Sequence, residues 1–472
     1  MTAEELRALV KESGIVGAGG AGFPTYMKID KRADTILMNC AECEPLLMLH
    51  RQLLKAHTRE ILSAFSRIAE VVGAGEAIIG IKQEYEDTIE ALLAYLPSFP
   101  GIRLHLLTGS YPMGDEVVLI YEATGKVVSP GGLPIEAGIA VFNVETVYNI
   151  YRALEQSAPV TDKLVTVAGE VAAPITVRVP VGTSFQDVVS MAGGETNKDA
   201  AYLIGGPMMG KIGTRYEQVT KTTNAILVLP GNHIIIRKKK MPASIGMKRA
   251  ASACCQCQMC TDLCPRHNLG HPIEPHKFMR AASSHDFHDL EVFMNLFFCS
   301  GCGLCEMFSC PQSLSPRTLI EECKTGMRCA GVKPQVGTES VSVRESREYR
   351  KVPEKRLEAR LGLAKYDKEA IFYDHGQFNQ DQFNQDQFKH THNVHAHNDH
   401  TQFEHIKPVR QVRLLFSQHI GAPAICRVRK GEEITRGQII AGAADGLSVP
   451  VHASISGIVT DITEKYVEIS ER

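Results

Sequence analysis

Two stretches, CCQCQMCTDLCP (254–265) and CSGCGLCEMFSCP (299–311), decide how this chain is read. From Cys254 the first runs C-x-x-C-x-x-C-x-x-x-C-P, the ligand run of bacterial two-cluster ferredoxins. The second has the same form with one extra residue before Cys310. Three closely spaced thiolates wrap three corners of a cubane, and the short loops between them turn backbone N–H groups toward the sulfides. The fourth corner needs a distant ligand, which in two-cluster ferredoxins comes from the other run. The spacing therefore predicts Cys254, Cys257, Cys260 and Cys310 on one 4Fe–4S cluster, with Cys299, Cys302, Cys305 and Cys264 on a second. Zinc sites pair CxxC units, four ligands per ion, and gain nothing from three evenly spaced cysteines followed by Cys-Pro. Cys40, Cys43, Cys255, Cys323, Cys329 and Cys426 fall outside the pattern and read as small buried residues; Cys255 alone could compete with its neighbour for iron.

Eleven of the 14 cysteines lie between Cys254 and Cys329, which is metal-ligand clustering rather than a disulfide framework. A chain of 472 residues exceeds one core, so several domains are expected. A formal net charge of −2 supplies no basic field for nucleic acid. No apolar run is long enough to span a bilayer, and the first residues lack a signal-peptide core, so a cytoplasmic protein is expected.

Working outward from the cysteines, 34 residues separate Cys264 from Cys299 and include HKFMRAASS and LEVFMNLFF, both helical in pattern. Upstream, the basic run 237–240 reads as a solvated linker. Residues 161–230 are β-rich (LVTVAGEV, ITVRVPVG, AILVLP) with one helical piece at SFQDVVSMAGG, a small α+β module. From 34 to 154, strand-like TILMN and AIIGI alternate with helical stretches, an α/β layer. Thr2 and Glu5 suit the start of a first helix. Downstream, FNQDQ occurs twice in tandem and seven histidines follow or flank it, so 375–405 reads as a disordered linker. Short glycine-broken β runs over 411–466 predict a small β-sandwich.

The segment 17–22, GAGGAG, contains GxGxxG, but a helix precedes it and Phe23-Pro24 follows at once, unlike a Rossmann turn. Four glycines in six residues suit a backbone approached closely by a ligand. Together, GAGGAGFPTYMK (17–28), NCAECEP (39–45) and FNVETVYN (142–149) resemble the flavin- and NADH-binding segments of respiratory NADH dehydrogenase flavoprotein subunits. They are more similar still to the C subunit of Rnf electron-transport complexes. With NCAECEPLLMLHRQLL, GGPMMG (205–210) and the domain order added, the likeness is greatest to cobalamin reductases of propanediol-utilisation microcompartments. In Rnf C subunits the segment like VPVHASISG stands at the N-terminus; here it stands at the C-terminus.

The resemblance implies a multidomain α/β and α+β protein. It would comprise an FMN/NADH-binding α/β domain (1–158), a β-grasp SLBB-like domain (159–235), a helical two-cluster ferredoxin domain (245–335), a linker (370–408) and a barrel-sandwich, lipoyl-like module (409–472). It further implies that Gly17, Gly19, Gly20, Gly22 and Lys28 cradle the FMN phosphate. Asn39 and Asn143 would hold the flavin or its ribityl chain, with Thr146 nearby and Phe23 stacked on a ring. Glu42 and Glu44 would lie near flavin and nicotinamide; as residues alone they read equally as solvated carboxylates. Ala18 and Ala41 depart from the respiratory pattern, which weakens the NADH part of the likeness more than the flavin part.

GGPMMGK (205–211) lacks the Ser/Thr of a P-loop and reads as a turn, and the hairpin tip 444–446 has no lysine to carry a lipoyl or biotinyl group. The function implied is NADH-dependent reduction through FMN and two 4Fe–4S clusters. The acceptor would be cob(II)alamin, free or on a corrinoid-bearing partner such as a diol dehydratase or an adenosyltransferase, with microcompartment shell proteins as further partners. The alternative is an electron relay feeding a ferredoxin, a quinone or a glycyl-radical activase. No acid/base or nucleophile constellation suggests hydrolysis.

Overall fold

The computed structural model describes residues 1–286, 288–334, 337, 341–374 and 407–472. The first helix, Ala3–Glu12, opens with the expected capping box: Thr2 Oγ1 accepts the Glu5 N–H at 3.1 Å, and Glu5 Oε2 accepts that of Thr2 at 2.7 Å. A four-stranded parallel sheet follows, in the order Ile102–Leu107, Glu76–Lys82, Thr35–Cys40, Ile139–Asn143. Three of its strands are apolar on both faces because helices cover both, while the edge strand Ile102–Leu107 exposes Arg103 and Leu106. Ile36, Met38 and Phe142 face the core under helices Thr58–Val72 and Val144–Gln156; Leu37 and Val141 face the core around helix Glu116–Thr124. Asn39 and Asn143 are direct partners at the carboxyl ends of the two adjacent strands, where open α/β sheets bind ligands.

The α+β module forms a six-stranded sheet with Ala225–Pro230 between Asp162–Gly169 and Ala200–Ile204. Helix Phe185–Met191 packs on one face against Val165, Val177 and Ile226. The other face meets Ile235 and Ile236 of helix Ile234–Lys239. Here the solvated-linker expectation fails. Lys238 and Lys239 lie largely buried and bind backbone carbonyls: Lys238 that of Glu306 at 2.9 Å, Lys239 those of Met208 and Gly210 at 3.0 and 2.6 Å. Carbonyls stranded at a domain junction need donors, and these lysines supply them. The expected start of the linker also shifts. Ile371–Tyr373 is the edge strand of this sheet, parallel to Ile175–Pro180, as an apolar β-branched and aromatic triplet permits. The linker expected over 375–405 lies outside the described residues.

The cysteine region is helical, with Ala243–Ala253, Pro275–Ser284 and Pro316–Cys329 around Ala250, Phe278, Met279, Leu319 and Ile320. Residues 345–366, to which the sequence patterns assigned no element, strap this region to the parallel-sheet domain. Val352–Pro353 pairs with Ser110–Tyr111, Glu354 pairs with the buried Lys82, and Arg347 pairs with Glu122. The last module consists of two small antiparallel sheets around Val412, Leu414, Ile440, Val451, Val467 and Ile469. Among the described residues, no helix is long and apolar enough to cross a membrane.

Candidate functional site

The glycine loop closes as a hairpin: Val16 bridges Pro24, and Gly17 N–H donates to Phe23 O at 2.8 Å. Gly20 and Gly22 have φ of +64° and +68°, which L side chains resist. Thr146, one turn into helix Val144–Gln156, pins the loop. Its hydroxyl accepts the Ala18 N–H at 3.0 Å and donates to Val16 O at 3.3 Å. Other domains press on the same loop. A Cβ at Gly19 would meet Asn224 Nδ2 at 2.9 Å, and one at Gly22 would meet Thr222 Cγ2 at 2.7 Å and His419 Cα at 3.2 Å. Ile420 of the C-terminal module donates its N–H to Ala21 O at 3.1 Å.

Beside the loop, Asn143 caps helix Val144–Gln156, its Oδ1 accepting the Glu145 N–H at 2.9 Å. Its Nδ2 lies 3.0 Å from Nε2 of His50, and His50 Nδ1 lies 3.5 Å from Glu42 Oε1. Burial pushes the His50 pKa down, which favours the neutral imidazole. Asn39 binds across to Gly114 O at 2.9 Å and accepts the Ala41 N–H. Thus the structure gathers the glycines, Asn39, Glu42, Asn143 and Thr146 at one sheet edge, with Phe23 half-buried on the loop. Two expected residues are engaged elsewhere. Glu44 accepts the N–H groups of Met208 and Met209 at 2.8 and 2.7 Å, tying the sheet domain to the 205–210 turn, and burial raises its pKa. The Lys28 ammonium is held by Glu116 at 2.9 Å and Val141 O at 2.8 Å. His50, Glu116 and Asn224 carry no signal in the sequence, because an isolated polar residue in an amphipathic helix or at a strand start looks ordinary.

The thiols fall into two sets. Cys254, Cys257, Cys260 and Cys310 line one recess with His276 and Met279, and Cys255, the expected competitor, lines it too. In the second set Cys302 neighbours Cys264 and Cys299, and Cys305 neighbours Cys299 and Cys302 while also facing Cys260 of the first set. Gly301 N–H points at Cys299 Sγ at 3.3 Å, and Leu314 N–H at Cys310 Sγ at 3.4 Å. Burial pushes the Cys260 and Cys264 thiols up to about 12, and those of Cys302 and Cys305 up as well. Buried thiols in such sets ionise when a metal supplies the compensating charge. Among the described residues all the cysteines are free and no His, Cys, Asp or Glu group converges as a single-ion site. Corners of a cubane stand farther apart than ligands of one ion. Of the remaining cysteines, Cys255 and Cys329 are exposed rather than buried, lying at the surface end of their segments.

The two centres adjoin. Tyr111 of the sheet domain donates its hydroxyl to Cys302 O at 2.6 Å, and Arg266, two residues from Cys264, binds Asp115 at 2.9 and 3.0 Å. Asp115 follows Gly114, the partner of Asn39. The donor sets fit a flavin and iron–sulfur clusters. Gly19 and Gly22 leave no room for a Cβ, buried Glu42 Oε1 faces only His50 Nδ1 at 3.5 Å, Asn224 Oδ1 has no hydrogen-bond partner among the described residues, and the thiols are unpaired.

A glycine-loop domain at the carboxyl edge of a parallel sheet, abutting two sets of thiols, defines an FMN- and iron–sulfur-dependent oxidoreductase. Family models agree, matching a Nuo51 FMN-binding domain over 10–152, an SLBB domain over 164–211, a 4Fe-4S dicluster domain over 253–315 and an RnfC barrel sandwich hybrid domain over 389–472. The chain belongs to the cobalamin reductase PduS family. It is 38% identical to PduS of Salmonella typhimurium over 471 residues, covering 99% of this chain and 97% of that one. PduS of Citrobacter freundii is 38% identical over 469 residues, 99% and 96% of the two chains. The C subunit of the Na(+)-translocating ferredoxin:NAD(+) oxidoreductase complex of Acetobacterium woodii is 32% identical over 272 residues, 57% and 59% of the two chains.

Proposed function

We propose that this reductase passes electrons from NADH, by way of one FMN and two 4Fe–4S clusters, to cob(II)alamin within a diol-utilisation microcompartment. When bound, the flavin supplies the change from hydride uptake to single-electron release, and the clusters supply one-electron transfer. Gly17, Gly19, Gly20 and Gly22 present the backbone to the flavin phosphate, and Thr146 keeps that backbone in place. Asn39 and Asn143 orient the flavin, with His50 holding Asn143 and facing Glu42. Phe23 shields a ring, and Lys28 reaches the phosphate by exchanging its Glu116 partner. Glu44 acts one step away, seating the SLBB turn against the nucleotide side.

The observation that carries this reading is the Tyr111–Cys302 hydrogen bond, which seats the FMN-binding domain directly on a thiol set. It favours an order of transfer. A cluster held by Cys264, Cys299, Cys302 and Cys305 would lie on the FMN-binding side, and one held by Cys254, Cys257, Cys260 and Cys310 would lie by the exposed segment around Cys257, each supplying one-electron transfer. Cobalamin as acceptor rests on the family, whose curated members are named for its reduction.

The test is anaerobic reconstitution, quantification of iron, sulfide and flavin, and addition of NADH. About eight irons and one FMN per chain, with both chromophores bleached by NADH and recoloured by cob(II)alamin, are expected. Clusters without flavin, or a flavin that NADH leaves oxidised, would overturn the proposal.

A further inference from the structure

Asn224 lies outside the FMN-binding domain, at the start of the central SLBB strand Ala225–Pro230. Its main chain is fixed by the Thr166 N–H, which donates to Asn224 O at 2.9 Å. The preceding turn is equally rigid: Thr220, Thr222 and Thr223 hydrogen-bond among themselves, and Lys221 spans Gly14 O at 2.7 Å and Pro450 O at 2.9 Å. The side chain meets the glycine loop. A Cβ on Gly19 would meet Asn224 Nδ2 at 2.9 Å and Asn143 Nδ2 at 3.9 Å, so two amides from different domains converge on one glycine. Asn224 Oδ1 is buried and, among the described residues, lacks any hydrogen-bond partner. A buried amide oxygen left without a donor is costly, and a ligand that brings a hydroxyl to the loop removes that cost while Nδ2 stays facing Gly19.

We propose that Asn224 is an FMN-binding residue contributed by the SLBB domain, its Nδ2 donating to the flavin phosphate opposite Asn143 and its Oδ1 accepting from a hydroxyl of the ribityl chain. This rests on the reading that FMN occupies the glycine loop, and it goes beyond it by making the site composite. The SLBB domain then helps to bind cofactor as well as to join its neighbours. An N–H donor rather than a cation suits a loop already supplied with backbone N–H groups, since hydrogen bonds to a charged oxygen are the stronger kind.

Full-length protein with its clusters, stripped of flavin, is titrated with FMN by flavin fluorescence. Loss of one hydrogen bond to a charged group is expected to weaken FMN binding about tenfold or more in Asn224→Ala. The near-isosteric Asn224→Asp should bind more weakly still, because a carboxylate would face the phosphate. Iron content and thermal unfolding of the flavin-free variants should match wild type, which separates a contact from a folding defect. Wild-type affinity in either variant would overturn the assignment of Asn224 alone. A wild-type protein that binds no FMN would overturn the occupancy of the loop on which it rests.

Discussion

His50 Nε2 and Asn143 Nδ2 stand 3.0 Å apart, and that distance assigns the imidazole tautomer. Asn143 Oδ1 already accepts the Glu145 N–H, so Nδ2 is the end that faces the ring and donates to it. Nε2 therefore accepts, and Nδ1 carries the proton toward Glu42 Oε1. His50→Phe keeps the ring but removes both functions. The expected result is a loss of about 1–3 kcal/mol in denaturant unfolding together with faster FMN release. Unchanged flavin retention would mean that Asn143 needs no support from His50.

Glu44 joins two domains through two N–H groups. Glu44→Ala strands the amides of Met208 and Met209 and should destabilise the full chain by about 2 kcal/mol. Because burial raises the Glu44 pKa, Glu44→Gln should be the milder change, retaining one acceptor without a buried charge. Equal melting curves for all three proteins would show that the turn is held by Lys239 instead.

Crossed ligation makes a sharp prediction for the two distant cysteines. Cys310→Ser should remove the same paramagnetic signal as Cys254→Ser, and Cys264→Ser the same as Cys299→Ser, each leaving about four irons. Loss of the Cys299-type signal in Cys310→Ser would show that each run closes its own cluster.

Two buried histidines set an acid limit. Burial pushes His271 down to about 4 and His452 down to about 3. In the unfolded chain each binds a proton near pH 6.5, so below that pH the unfolded state holds more protons. Stability therefore falls as pH drops from about 6.5 to about 4, by about 1.4 kcal/mol per pH unit for each histidine. His271 Nε2 lies 3.0 Å from Val128 O, a bond that His271→Gln can replace without titrating. The difference between wild-type and variant unfolding free energies should slope across that window; a flat difference would contradict it.

Much of the fold was legible because its signals are local. The Thr2–Glu5 cap, the alternation over 34–154 and the cysteine spacing each depend on residues a few positions apart. Contacts between domains were not. Lys238 and Lys239 look like any exposed basic run until Glu306, Met208 and Gly210 present their carbonyls. Ile371–Tyr373 is too short to announce itself as a strand before Ile175–Pro180 lies alongside. Of the candidate site, the glycine loop, Asn39 and Asn143 could be named from motifs, since the loop itself demands glycine. His50 and Asn224 act through partners 93 and 205 positions away from Asn143 and Gly19, and no spacing rule reaches that far.

The C-terminal module touches the chain's beginning: Ile420 binds Ala21, and Pro450 shares Lys221 with Gly14. A module docked there is held by contacts with residues 14–22 as well as by its covalent attachment. Selection would act on the docked surface at residues 14–22 rather than on the order of the polypeptide. A reordered gene with the module fused ahead of Met1 should yield the same cofactor site.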